Sequence, residues 1–189
     1  MQKFKVSVKG ITPYMQHRMD DQKLEEWTKN RGHIIDNTGA NNPTEAQGLY
    51  HSYITPTGEF YIPNEHFKQC FLNASKAVKG KVGAATKSMK QVVAGQFFVL
   101  PARIPFVRFD EVDVRSAVNR VVKARIMTKR PRWNEWKCEF VLEVHNDTIS
   151  IETIKNIINH GGSFVGVGSY RPEHSGEFGR FETILEPIK

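Results

Sequence analysis

Cysteine is scarce in this 189-residue chain: only Cys70 and Cys138 occur, far apart. That excludes a disulfide framework and a zinc knuckle, and neither a metal nor a cofactor is expected. Long hydrophobic runs are missing too. No apolar stretch approaches the roughly 18 to 20 residues that span a bilayer. The N-terminus, MQKFKVSVKG, alternates where a signal peptide would be continuously apolar. The expected setting is reducing and intracellular, the cytoplasm, with no membrane partner. No Gly-Lys-Ser/Thr follows a glycine-rich stretch, so there is no Walker loop. The one glycine-rich loop follows a helix and precedes a strand, the reverse of a dinucleotide fingerprint. No serine or cysteine has the context of a nucleophile.

Acidic residues are absent from one further place where they would be expected. Residues 76–90 hold Lys76, Lys79, Lys81, Lys87 and Lys90 and no acid, and residues 115–137 hold eight basic residues against Glu135 alone. Thirteen of the 27 Lys and Arg residues fall in these two segments, in a chain of net charge +7. A solubilising surface mixes both signs. Concentrated positive charge points to a polyanion, most often nucleic acid, with a merely solvated basic face as the plain alternative.

Along the chain, Phe4, Val6 and Val8 alternate with Lys3, Lys5, Ser7 and Lys9, a half-buried strand with a basic outer face. Residues 19–31 suggest a short helix and 32–48 a long loop. LYHSYITPTGEFYIP reads as a hairpin turning at Pro56-Thr57-Gly58. Asn64 is expected to cap a helix carrying Phe67, Cys70, Phe71, Ala74 and Val78 on one face and ended by Gly80. Residues 79–90 read as a basic loop. GQFFVLPARIPFVRF is extended, with Pro101 and Pro105 confining it to an edge. Residues 120–145 read as a hairpin with TKRPRWNEW at its tip. Ser150 is expected to cap a helix with Ile151, Ile154, Ile157 and Ile158 buried and Gly161-Gly162 at its end. A last strand follows near Arg180 to Leu185. The order strand, helix, strand, strand, helix, strand predicts an α+β, ferredoxin-like (RRM-like) antiparallel sheet with two core helices. One domain over 1–189 is expected, with insertions at about 12–62, a basic loop at about 79–95, a glycine-rich loop before the last strand and a β-hairpin thumb.

Three segments carry candidate binding groups. GGSFVGVGSYRPEHSGEFGRFE (161–182) holds six of the 14 glycines. Gly166, Gly168, Gly176 and Gly179 let main chain approach main chain, or a phosphodiester, and can form an anion-binding nest. Arg171 and Arg180 add charge, and Tyr170 and Phe178 offer stacking faces; a turn that only closes the sheet is the plain alternative. The tip of the 120–145 hairpin, with Arg125, Lys129, Arg130, Arg132, Trp133 and Trp136 in or beside it, combines cations with indoles, unless the indoles fold back on the core. The lysines of 76–90 suit a phosphate track, or a solvated loop that orders on binding. Of seven histidines, His17, beside Asp20 and Asp21, and His174, in the glycine loop, are the candidates for acid–base work, although a packing or surface histidine accounts for each as readily.

The glycine-rich run from Gly166-Val-Gly168 to Gly176-Glu-Phe-Gly179, the Thr-Pro step in VKGITPYMQHR and the Ile-Pro before the helix in YIPNEHFKQCFLNASKAV resemble the RAMP superfamily (repeat-associated mysterious proteins), the RNA-binding subunits of CRISPR effector complexes. The resemblance implies a non-catalytic protein that oligomerises along single-stranded RNA or DNA, RNA favoured, as a backbone subunit of a multi-subunit nucleoprotein or a small phage relative in an infected bacterial host. Two alternatives accompany it: a metal-independent endoribonuclease, and a phage interaction module acting on a CRISPR or nucleic-acid complex. The expected groove brings the 76–90 lysines, the 130–136 turn and the final glycines together.

Overall fold

A computed structural model describes residues 1–18, 51–82, 85–118 and 125–188. The helix and loop expected within 19–48, and residues 119–124, lie outside the described residues. The chain folds as α+β with antiparallel sheets. Strand β1 (Gln2–Gly10) lies second in a four-stranded sheet. Its order is β11 (Phe181–Pro187), β1, β10 (Lys137–Val144), β6 (Phe97–Leu100), every neighbour antiparallel. The alternation of β1 does what its period dictates: Phe4, Val6 and Val8 are buried, as are Cys138, Phe140, Leu142 and Val144 of β10.

The buried face is covered by α1 (Asn64–Ala74) and α3 (Ile151–His160). Phe67 stands at the centre, its ring centroid 4.7 Å from that of Phe140 and 5.6 Å from that of Phe181. Burying each such ring contributes about 1.5–3 kcal/mol. On α1 the residues Phe67, Cys70, Phe71 and Ala74 form the inward stripe. The expected cap is corrected: Pro63 occupies the N-cap position, and Asn64, one residue inside, donates its Nδ2 to the Val99 carbonyl at 2.7 Å. The carbonyl of an edge strand is open to this amide. The helix also stops at Ala74 with Ser75 as its C-cap, before Val78 and Gly80. On α3, Ser150 does cap, accepting from Thr153 N at 3.2 Å, and Ile154, Ile157 and Ile158 are buried while Ile151 is exposed. The α-helix ends at His160 with Gly161 as its C-cap, as expected, and the coil then widens into a π turn over Gly161–Val165. Packing leaves no room for a side chain at Gly162 and little at Gly161. A Cβ on Gly162 would lie 2.1 Å from the Phe181 carbonyl oxygen, and one on Gly161 would lie 3.1 Å from Cys70 Sγ.

The turn at Pro56-Thr57-Gly58 forms, with Ile54 bridged to Phe60 and Gly58 N donating to Thr55 O at 2.9 Å. It leads to β3 (Tyr61–Pro63), which pairs with β7 (Arg103–Pro105). Where a basic loop was expected, β4 (Lys79–Val82) and β5 (Ala85–Ser88) pair as a short ribbon. A helix not expected from the sequence, α2 (Lys90–Gln96), follows. The Lys68 ammonium donates to the carbonyls of Val93, Ala94 and Phe97 at the end of α2, complementing the negative end of the helix dipole.

The largest correction concerns the hairpin. β9 (Arg125–Trp133) does not pair with β10. It pairs along its length with β8 (Glu111–Val118), from Glu111↔Arg132 to Val118↔Arg125, and β2 (Tyr14–Met15) flanks it on the other side. Residues 134–136 are a crossover between two sheets, not a tip. Trp133 is 0% and Trp136 4% exposed. Trp133 Nε1 donates to Val107 O at 2.9 Å and Trp136 Nε1 to Thr12 O at 2.8 Å. Indoles buried with their one donor satisfied stabilise more than indoles left in water. The antiparallel pair of this fold is therefore β8 with β9.

Candidate nucleic-acid interface

The glycine-rich loop owes its glycines to contacts within the chain. Gly179 has φ +69°, and a Cβ there would lie 1.8 Å from Val167 O; on Gly176 it would lie 1.8 Å from Tyr170 O. The loop doubles back on itself through Val167 N→Gly179 O (2.9 Å) and Phe178 N→Tyr170 O (3.0 Å). It is tied to the segment after β1 through Ser169 N→Met15 O (2.9 Å) and Gly179 N→Pro13 O (2.7 Å). The amides of Gly166, Gly176 and Gly179 thus donate to the chain's own carbonyls. They do not form the anion-binding nest expected of them.

What the loop does present is two rings. On β9, Lys129, Pro131 and Trp133 point to the buried side, so Arg130 and Arg132 share the other face with Arg115 of β8. Tyr170 and Phe178 reach onto this face. Phe178 lies between Arg115 (4.6 Å from the ring centroid) and Arg132 (5.5 Å), and Tyr170 between Arg130 (4.7 Å) and Arg115 (5.7 Å). Three guanidinium groups and two rings therefore interleave, each contact worth about 0.5–2 kcal/mol according to its exposure. Asp113 fixes the array, accepting from Arg115 Nε (2.6 Å) and Nη2 (3.1 Å) and from Arg132 Nη1 (3.5 Å). Glu111 lies 3.5 Å from Arg132 Nη1. The hydrogen-bonded Asp113 carboxylate raises the pKa of Arg115, and burial pulls Arg130 below the ordinary arginine value, Tyr170 acting the other way. Among the described residues no carboxylate comes within ion-pair distance of Arg130.

The other residues expected at the interface divide. Trp133 is unavailable for stacking, and Lys129, 8% exposed, faces inward. Arg171 holds the loop together, with Nη1 on Gly168 O (3.0 Å) and Nε on Glu173 (3.0 Å). Arg180 Nε donates to Ser163 O at 3.2 Å. Of Arg125 only the backbone position, opposite Val118, is described. Lys76, Lys79, Lys81, Lys87 and Lys90 are all exposed, but they do not join the loop. The β4–β5 ribbon seats against the first turn of α3, where a Cβ on Gly80 would lie 2.9 Å from Thr153 Cγ2. The expected three-way groove is therefore a two-way one. Lys3, Lys5 and Lys9 face outward as expected but pair with Glu143 (2.7 Å), Glu139 (3.1 Å) and Glu182 (3.5 Å). Arg130, Arg132, Tyr170 and Phe178 are the residues of this face that the sequence pointed to as binding groups; it marks Arg115 only within the basic segment 115–137, and Asp113 not at all. Their membership depends on β8 lying beside β9, which sets Asp113 across from Arg130 and Arg115 across from Thr128. Nothing in the local spacing of either strand announces that neighbour.

A separate cleft of about 480 Å³ lies between α1 and the loop, lined by His17, His66, Gln69, Gly168, Ser169 and Arg171 among others. Gln16 Nε2 donates to the Tyr14 hydroxyl at 3.3 Å, and that hydroxyl is hydrogen-bonded to His66 Nδ1 at 2.9 Å. Burial, reinforced by Arg171, lowers the His66 pKa to about 4, and burial raises that of Tyr14. His17 is exposed, its ring edge-on to His51 at 4.8 Å. His174 sits exposed in the turn Pro172–His174 and does not line the cleft. Among the described residues no three His, Cys, Asp or Glu side chains gather as a metal site, and no helix is long and apolar enough to cross a membrane.

The depressed His66 pKa sets a pH dependence. Between about pH 4 and the unfolded value of about 6.5, the unfolded chain binds the extra proton, so stability falls as pH drops through that window. The expected loss is about 3 kcal/mol, read as urea midpoints at the two ends of the window, and His66→Gln flattens the slope. Equal slopes in the two proteins would remove His66 as the cause.

No protein-family model matches this sequence, and no curated protein shows significant similarity to it.

Proposed function

We propose that this protein binds single-stranded nucleic acid, RNA in preference to DNA, without cleaving it. The observation that carries the reading is the interleaved face of Arg115, Phe178, Arg132, Tyr170 and Arg130. Guanidinium groups contact phosphates, and ring or guanidinium planes accept stacked bases at about 1–3 kcal/mol each. Among the described residues Arg130 has no carboxylate within ion-pair distance, and Arg115, with its side chain 40% exposed, is reachable from solvent. The strand order β11-β1-β10-β6 with α1 and α3 on one face is the order a ferredoxin-like domain calls for, which supports a RAMP-type reading and, with it, assembly of several protomers along one strand in the cytoplasm of a host or phage-infected cell.

The test is fluorescence anisotropy with labelled single and double strands over a salt series. Wild type is expected to prefer the single strand and to weaken as salt rises. Replacing Arg115, Arg130 and Arg132 by Gln weakens binding about 100-fold and lowers the slope of log K against log salt by about 2, at ~0.7 per lost phosphate contact. No binding at low salt would end the proposal.

One observation favours a second reading, metal-independent RNA cleavage: His17, His66 and Arg171 line one cleft. His66, its pKa lowered to about 4 by burial, is neutral at pH 7, which leaves His17 as the candidate for acid–base work. Cleavage of RNA in chelator that disappears in His17→Ala would establish it.

A further inference from the structure

The two basic regions of the sequence lie at opposite ends of the main sheet. At one end, Gln2 Nε2 donates to the carbonyls of Asn146 and Ile149, which lead into α3. The β4–β5 ribbon rests on the first turn of that helix, through Gly80 and Thr153. At the other end, Pro13 O accepts from Gly179, and Tyr14 pairs with Trp133, which places the glycine loop and the arginine–aromatic face there. Strand β1 separates the two ends, and its nine residues span about 30 Å at ~3.3 Å each.

The surface between them is not a continuous positive track. On the outer sheet face the cross-strand register sets Lys3 opposite Glu143 and Lys9 opposite Glu182, and Lys5 reaches Glu139 diagonally. Opposite charges alternate there, and such pairs give a phosphate backbone no net attraction. The ribbon end is different. Lys76, Lys79, Lys81, Lys87 and Lys90 are exposed, and among the described residues none has a carboxylate within ion-pair distance. The pairings Lys79↔Ser88, Gly80↔Lys87 and Lys81↔Thr86 set Lys79 and Lys81 on one face of a two-stranded support and Lys87, across from Gly80, on the other, so the ribbon presents its lysines without the ordering cost of a free loop.

We propose that the β4–β5 ribbon is a second single-strand contact, independent of the arginine–aromatic face, so that one protomer holds two nucleic-acid strands at once, one at each end of β1. The inference rests on the single-strand reading above and adds a valency to it. A protein with two separated polyanion seats brings strands together: with one seat filled, the other stays open to a second strand. The two seats also differ in kind. The ribbon has lysines and no rings and contacts phosphates alone, so it is indifferent to base identity and the more salt-sensitive of the two. The other end adds stacking.

The experiment captures one strand with another. Biotinylated oligo(U) on beads is mixed with the protein and then with dye-labelled oligo(U), which cannot pair with it, while anisotropy with dye-labelled oligo(U) alone reports single-strand binding. Wild type is expected to retain the labelled strand on the beads. Lys79→Glu, Lys81→Glu and Lys87→Glu together should lower that capture at least about tenfold, while one-strand affinity falls by no more than about threefold, since the arginine end is untouched. The substituted positions are solvent-exposed, and the retained one-strand binding reports that the variant is folded. Capture that survives the triple substitution would overturn the proposal, because self-association through the arginine end would then be the bridge. Binding without capture in wild type would overturn it alone and leave the single-strand reading standing; absence of any strand binding would overturn both. Ribbon-dependent binding to phosphatidylserine vesicles without strand capture would overturn it in favour of a membrane surface.

Discussion

Trp133→Ala lowers the stability of this protein by about 3–5 kcal/mol, the cost of emptying a buried aromatic site. The indole is fully enclosed, with ring centroids 5.4 Å from Tyr14, 5.1 Å from Phe106 and 6.1 Å from Phe109. Its removal leaves a cavity where the two sheets meet and strips the Val107 carbonyl of its donor, an added penalty of about 1–3 kcal/mol if that oxygen stays dry. Trp133→Phe keeps most of the volume and loses the hydrogen bond, so it should fall between the two. Urea unfolding measures both. The opposite result, an alanine variant as stable as wild type but deficient in nucleic-acid binding, would return Trp133 to the exposed stacking role that the sequence suggested.

The second large effect is expected at Gly179. Its φ of +69° already disfavours a side chain, and the Cβ of an alanine would collide with Val167 O at 1.8 Å. Backbone is on both sides of that contact, so no rotamer relieves it. The strained conformation alone costs about 1–3 kcal/mol, and the collision must break the Val167 N→Gly179 O bond that closes the loop. A total loss above about 3 kcal/mol follows. Because Tyr170 and Phe178 hang on the same loop, strand binding should fall with stability. Gly58→Ala is the control. It shares a positive φ, +88°, but has open space around the Cβ, so it should cost only about 1 kcal/mol. Equal costs at the two positions would mean that strain, not collision, makes the glycines of the loop necessary.

Local pattern made some of this architecture readable in advance. The period of two in β1 and β10 and the stripes of α1 and α3 correspond to burial almost residue by residue, because one face of each element meets the core. The Ser150 cap was legible because its geometry is local. Pairing was not. β9 and β10 are joined by three residues, as a hairpin would be, yet each finds its neighbour elsewhere: β9 in β8 and β2, β10 in β1 and β6. A tight link predicts a hairpin only when the two strands have no better partners, and the two indoles at the link bury more surface by entering the core. The site suffered from the same blindness. Tyr170 and Arg130 could each be named, but the Arg115–Phe178 contact joins residues remote in sequence and depends on a strand neighbour that no local window reveals. Asn64 misled differently: its side chain suits a cap, and a free carbonyl on β6 drew it away.

The crossover at 134–136 has a mechanical consequence. The β8–β9 ribbon leaves the body from a root in which Trp133 and Trp136 are sunk, with Gly10 N fastened to Trp136 O at 2.8 Å and no room for a Cβ on Gly10 beneath the indole. Tilting the ribbon at its base would prise two aromatic plugs out of the hydrophobic interior. Strain at this root is therefore passed to Tyr14, against which both indoles pack, and to the start of β10, inside the domain that supports the ribbon.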